Sequence, residues 1–145
     1  MFGFFAIIGF VLAGFLEKKL SYSWSWMVSL GVALISSFLL YASGLSQTAV
    51  TWLEVPVGGV ASAFSSITGE PLTPMVLMGV ITTGAVLVTV FDLWMDHTYN
   101  PKARAALIVA PITAHGAGGW VGEFVAGIHG TGADIAMSLT ANMFG

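Results

Sequence analysis

The chain has no cysteine and only four cations in 145 residues. Without cysteine there is no disulfide framework, no thiolate metal centre and no thiol redox chemistry. Four Lys and Arg set against seven Asp and Glu leave a net charge of −3, so no basic face can track a phosphate backbone and direct nucleic-acid binding is not expected. Catalytic motifs are missing too. There is no nucleophile elbow, phosphate loop or dinucleotide fingerprint, and serines such as Ser62, Ser65 and Ser66 lie near no base. An enzyme is not expected, nor any cofactor. The carboxylates Asp92 and Asp96, beside His97, could offer oxygen and nitrogen ligands to a cation. Lys102 and Arg104 follow closely, so ion pairing or solvation is the expected purpose and no metal is assigned.

What fills the chain instead is apolar: 57% of residues are hydrophobic, 8% are charged, and the mean hydropathy is +0.91. Residues 1–16, 20–53, 71–91 and 105–122 carry no Asp, Glu, Lys or Arg. A bilayer core about 30 Å thick is crossed by about 20 apolar residues in a helix, and backbone groups in hydrocarbon must find their partners within the segment. The pattern predicts an all-α integral membrane protein with three to four transmembrane helices, forming a single membrane domain over 1–145. The expected spans are about 2–16, 26–45, 74–95 and 105–128, with a C-terminal tail at 129–145. A cleaved signal peptide is disfavoured at the N-terminus, because Glu17, Lys18 and Lys19 follow the apolar run and no cation precedes it.

Local signals set the span ends. Tyr22, Trp24 and Trp26 precede the second span and Tyr41 closes it, as interfacial aromatic belts do. Thr73-Pro74 and Asn100-Pro101 each read as an N-cap followed by proline at the first helical position. The connection at 46–72 is too long for a plain turn. Within this outer loop Val60, Phe64 and Ile67 recur at helical spacing and Gly69 stands as a stop, predicting a short helix on the membrane face between Pro56 and Pro71. Trp52 and Leu53 are expected to anchor the loop. The topology determinants are Lys18, Lys19, Lys102 and Arg104: with two crossings between the pairs, the positive-inside rule puts both on the cytoplasmic side. The N-terminus is then outside, and the 17–25 and 96–104 connections are cytoplasmic.

In the last expected span Pro111 predicts a kink, tolerated where a neighbour satisfies the carbonyl it frees. Ala114, Gly118, Gly122, Ala126 and Gly130 follow at a period of four. On one continuous helix such a stripe lets another backbone approach closely, so these residues are the expected helix-packing and oligomerisation face of a homo-oligomer. Trp120, Phe124 and Ile128 form a parallel bulky series. Glu123 and His115 are the candidate buried polar groups, since a carboxylate in a glycine-rich membrane helix must face protein, water or headgroups.

From Val90-Phe91-Asp92-Leu93-Trp94 through Asn100-Pro101-Lys102-Ala103 to Ile108-Val109-Ala110-Pro111, the chain resembles small multi-spanning membrane proteins of actinobacterial phages and conjugative plasmids. The resemblance covers about residues 75–120. It implies a mobile-element setting and a part in membrane passage of DNA or in lysis, and it carries over no active residue; the expected localisation is a bacterial inner membrane. Together these readings predict a homo-oligomeric bilayer protein with a structural or pore-forming role. The alternatives are a holin-like lysis protein, a non-conducting scaffold or virion component, and a small transporter.

Overall fold

The computed structural model describes residues 1–20, 23–97 and 99–144, the side chains at 93, 119–121 and 144 excepted. Tyr22 and the side chain of Trp120 therefore lie outside the described residues. Six helices follow one another: α1 (Phe2–Lys19), α2 (Ser25–Tyr41), α3 (Gly44–Thr68), α4 (Pro74–Asp96), α5 (Pro101–Gly116) and α6 (Gly119–Phe144), with no strand among the described residues. By length and composition α3 and α4 are apolar enough to cross a bilayer, while α2 is apolar but shorter. The 18 residues of α1 include Glu17, Lys18 and Lys19.

The helices begin where the local chemistry provides caps. Thr73 Oγ1 accepts from the Val76 amide at 3.3 Å, and Asn100 Oδ1 accepts from the Lys102 and Ala103 amides at 2.8 and 3.1 Å. Each satisfies N-terminal amides that a helix leaves without partners. Gly69 ends α3 at φ +76° and His97 ends α4 at φ 49°, both in the left-handed region that stops a helix.

Antiparallel pairs α1–α2 and α4–α5 form the body of the bundle, and small side chains sit between them. Ala6, Ala13, Ala33, Ala103, Ser29 and Ser36 are buried, whereas Phe4, Ile7, Val11, Phe15, Val80 and Phe91 are exposed. Soluble bundles place their bulky residues inside; this one places many outside and lets its backbones close on Ala, Ser, Thr and Gly. Thr82 and Thr113 bridge α4 and α5 through a buried hydroxyl pair at 2.7 Å.

Pro111 does not end α5, which runs from 101 to 116. A proline cannot donate to the carbonyl four residues earlier, here that of Leu107. Ser37 of α2 donates its Oγ to this same oxygen at 2.8 Å, from a buried position. The break comes instead at Ala117 and Gly118, where Ala117 turns extended (ψ 136°). The expected span at 105–128 is thus two helices, and the expected tail at 129–145 belongs to α6. Three glycines at 116, 118 and 119 lower helix propensity there.

The expected loop at 46–72 is mostly helix. After a two-residue turn α3 runs through Pro56 to Thr68, because Leu45 to Val55 are helix-compatible and Val50, Leu53 and Val57 have Met78 and Leu77 to pack on. Its contacts stay at one end of the bundle. Leu45 touches Gly3 at the start of α1, Val50 meets Gly116 at the end of α5, and Gly58 faces Pro74 at the start of α4. Both Val50 and Val57 share Met78, so α3 crosses the first turn of α4 and does not run alongside it. The chain then folds back, and the Leu72 amide donates to Ser65 Oγ at 2.8 Å.

Candidate functional site

Three polar groupings stand out from the apolar framework. The first gathers at the end where α1 finishes and α5 begins. Tyr99, 1% exposed, packs with Ala13, Ala33, Ala103 and Leu107, and the Arg104 guanidinium lies 5.0 Å from its ring centre. A β-carbon on Gly14 would stand 3.1 Å from an Arg104 guanidinium nitrogen, so the helix bearing Lys18 and Lys19 and the one bearing Lys102 and Arg104 meet at this end. Burial pushes the Tyr99 phenol above its ordinary pKa, Arg104 opposes this and Glu17 adds to it. Glu17 Oε2, Ser29 Oγ, Asp92 Oδ2 and Arg104 Nε are buried here with no hydrogen-bond partner among the described residues. They come from four helices, and only sequence-distant packing brings them to one end. The αL residue His97 stacks edge-on against Trp26 at 5.4 Å between ring centres.

The second grouping lies towards the opposite end and joins α2, α5 and α6. The Tyr41 ring lies 4.3 Å from that of His115 and 5.3 Å from that of His129. Phe38 meets His129 edge-on at 5.6 Å. Each imidazole is tied through Nδ1 to the carbonyl one turn earlier, His115 to Pro111 at 3.1 Å and His129 to Val125 at 3.0 Å. His115 is half-buried and His129 is buried. Sequence reading singles out His115 alone; nothing in the spacing from 115 to 129 signals that both rings converge on Tyr41, 74 residues before His115.

The third grouping lies on α6, whose surface has three sectors. Val125, His129, Gly132, Ala133 and Ala136 turn inward, and Phe124, Ile128, Ile135 and Leu139 form an exposed bulky flank. Glu123, Gly127, Thr131, Asp134 and Ser138 are exposed beside that flank, at the three- and four-residue steps that share one helical face. A β-carbon on Gly127 or Gly130 would meet nothing within 4 Å. Glu123 and Asp134 stand about three turns apart, roughly 16 Å along the axis.

The expected small-residue stripe is divided by this geometry. Ala114 belongs to α5 and Gly118 to the break, so the five positions share no single helix. A β-carbon on Gly118 would strike Met75 Sδ, and one on Gly122 the Ala117 carbonyl oxygen; both glycines serve the turn into α6. Ala126 is half-buried, and Gly130 sits at the edge of the open sector. Glu123 is exposed on the outside of α6 and not buried.

No group of three or more His, Asp or Glu side chains fit to hold a metal ion occurs among the described residues. The chain matches no known protein-family model, no curated protein and no solved structure.

Proposed function

We propose that the chain is an integral bilayer protein that assembles with copies of itself through the polar, small-residue sector of α6, in a structural or pore-forming role. In this reading α1, α2, α4 and α5 cross the bilayer and α3 lies on one membrane face, where Trp52 (79% exposed) meets headgroups. The end bearing Lys18, Lys19, Lys102 and Arg104 faces the cytoplasm by the positive-inside rule. Helices of 16 to 18 residues (α1, α2 and α5) are short for a 30 Å core, a mismatch that local thinning and snorkelling absorb at a fraction of a kcal/mol per Å, roughly. The resemblance over about residues 75–120 adds a mobile-element setting to the proposal.

One observation carries the assembly. The exterior is built of Phe, Ile, Val, Leu and Met, yet one sector of α6 exposes two carboxylates flanked by glycine, threonine and serine. A carboxylate facing lipid costs about 2.5–3.5 kcal/mol on insertion scales and more in simulations, so such a sector calls for protein or water against it. A second copy supplies both, and glycines without neighbours let its backbone come close.

Native mass spectrometry of the detergent-solubilised protein tests the assembly, wild type beside Gly127→Leu/Gly130→Leu. Those glycines face open space, so the fold of the single chain is spared and the copy number falls. An unchanged copy number, or a wild type that is a monomer, overturns the proposal. Planar-bilayer conductance separates the two roles: a pore lined by Glu123 and Asp134 passes cations and loses conductance on Glu123→Gln/Asp134→Asn, whereas a structural assembly conducts in neither form.

A further inference from the structure

A cavity of about 220 Å³ lies between α2, α4, α5 and α6. Its floor is formed by Ser37, Leu107, Ala110 and Val125, all buried, and its rim by Val90, Phe124 and Ile128, all exposed. It is therefore a cleft that opens sideways through the bundle wall and not towards either end. We propose that this cleft holds part of the acyl chain of a membrane lipid, a proposal that rests on the bilayer reading above.

The chemistry of the wall selects the ligand. Leu34, Phe38, Val86 and the floor and rim residues present hydrocarbon. The two bordering hydroxyls are already engaged: Ser37 Oγ donates to the Leu107 carbonyl at 2.8 Å and Thr89 Oγ1 to the Ala85 carbonyl at 2.9 Å. The His129 Nδ1 is held by Val125. A polar ligand would find little to replace its hydration, and a water needs two to four polar partners. Apolar cavities of about 150 Å³ stay dry and take up benzene; this one is larger and has an open side.

The open side settles which apolar molecule. The rim is continuous with the exposed Leu87 and Phe91 of α4 and with Ile135 and Leu139 of α6, the surface that meets lipid tails in the bilayer reading. A chain end entering between α4 and α6 meets hydrocarbon from surface to floor. It also props α6 against the bundle at the side from which Glu123 projects.

The full-length protein, reconstituted in phosphatidylcholine vesicles whose acyl chains carry a diazirine, is irradiated and its adducts are mapped by mass spectrometry. Adducts are expected on Leu107 and Val125 at the floor as well as on Phe4 and Val11 outside α1. Val86→Phe and Ile128→Trp fill the cleft from opposite walls, and each should abolish the floor adducts while leaving those on α1 intact. Adducts on α1 without any on the floor overturn the acyl-chain site alone. A floor that remains labelled in both filled variants also overturns it, since the label then arrives by another route. Loss of the α1 adducts in the wild type instead overturns the bilayer reading itself. In a parallel arm, labelling of the floor by a free diazirine alkane but not by the lipid overturns the site in favour of a small apolar molecule.

Discussion

Replacing Ser37 by alanine removes one hydroxyl and leaves the Leu107 carbonyl without a donor, because the residue that would serve it within α5 is Pro111. Both Ser37 and Leu107 are buried, so neither group has water to fall back on. An unsatisfied buried carbonyl costs about 1–3 kcal/mol, while hydrogen bonds between membrane helices average about 0.6 and reach about 1.7 kcal/mol because alternatives are usually at hand. Here the usual alternative is absent, so Ser37→Ala should cost about 1–2 kcal/mol, near the top of that membrane range. Pro111→Ala supplies the missing N–H, and in that background the Leu107 oxygen returns to its own helix. Ser37→Ala should then cost less than about 0.5 kcal/mol, giving a coupling of about 1 kcal/mol in the double-mutant cycle. Equilibrium unfolding in mixed micelles, followed by circular dichroism, measures all four corners. Equal costs for Ser37→Ala in the two backgrounds would refute the idea that serine compensates for proline.

Val11 is 69% exposed midway along α1; in water Val11→Asp would stay within about ±0.5 kcal/mol, but against hydrocarbon it should cost about 3 kcal/mol. The membrane-inserted fraction after alkaline extraction reads this, and an unchanged fraction sinks the bilayer assignment. Gly132→Ala should destabilise the fold by about 1–3 kcal/mol, because its new β-carbon would lie 2.6 Å from Phe38 ring atoms. Gly130→Ala, with nothing within 4 Å in its own chain, should leave the fold of the single chain unchanged or stabilised by up to about 1 kcal/mol through helix propensity; thermal melts of the dissociated protein that fail to separate the two would contradict the packing of α6 on α2. Burial raises the Tyr99 pKa above its ordinary value of 10.0, so above that pH the unfolded chain loses its proton first and the folded state is disfavoured. The stability contribution is complete below pH 10 and is lost as the pH climbs through the folded-state pKa; unfolding curves for Tyr99→Phe should lack this alkaline loss.

Helical character and several boundaries were legible because they depend on neighbours in sequence. Thr73-Pro74, Asn100-Pro101 and Gly69 fix ends through caps and a left-handed stop, and each needs only a few residues to act. Pro56 reads as the start of the loop helix, yet α3 runs through it; Pro111 reads as a kink within a continuing helix, and α5 does continue through it. For Pro111 the reason is a serine 74 positions earlier in the chain, which no local pattern reveals. Gly118 reads as part of a packing stripe and instead lies in the break between α5 and α6, where Gly116 and Gly118 leave room for Met78 and Met75. The convergence of His115 and His129 on Tyr41 was equally out of reach, because it depends on the turn at 117–118 that swings α6 back across α2.

Within the bilayer reading proposed above, the buried hydroxyls bear on which end of the bundle meets solvent. Ser36, Ser37, Ser46, Thr89, Thr113 and Thr140 are all buried, and each donates to a backbone carbonyl within its own segment or a neighbouring helix, while the buried Thr82 donates to Thr113 Oγ1. Such residues are small enough to let helices close and leave no hydroxyl unmatched, which a medium without water demands. Ser29 departs from this pattern, being fully buried with no partner for its Oγ among the described residues. It does so at the end that also holds atoms of Glu17, Asp92 and Arg104 with no hydrogen-bond partner among the described residues. Four such atoms would be expensive deep in hydrocarbon, but water entering from a nearby surface can satisfy them. The same end carries all four cations of the chain, so in the bilayer reading proposed above polar satisfaction and charge both put solvent there.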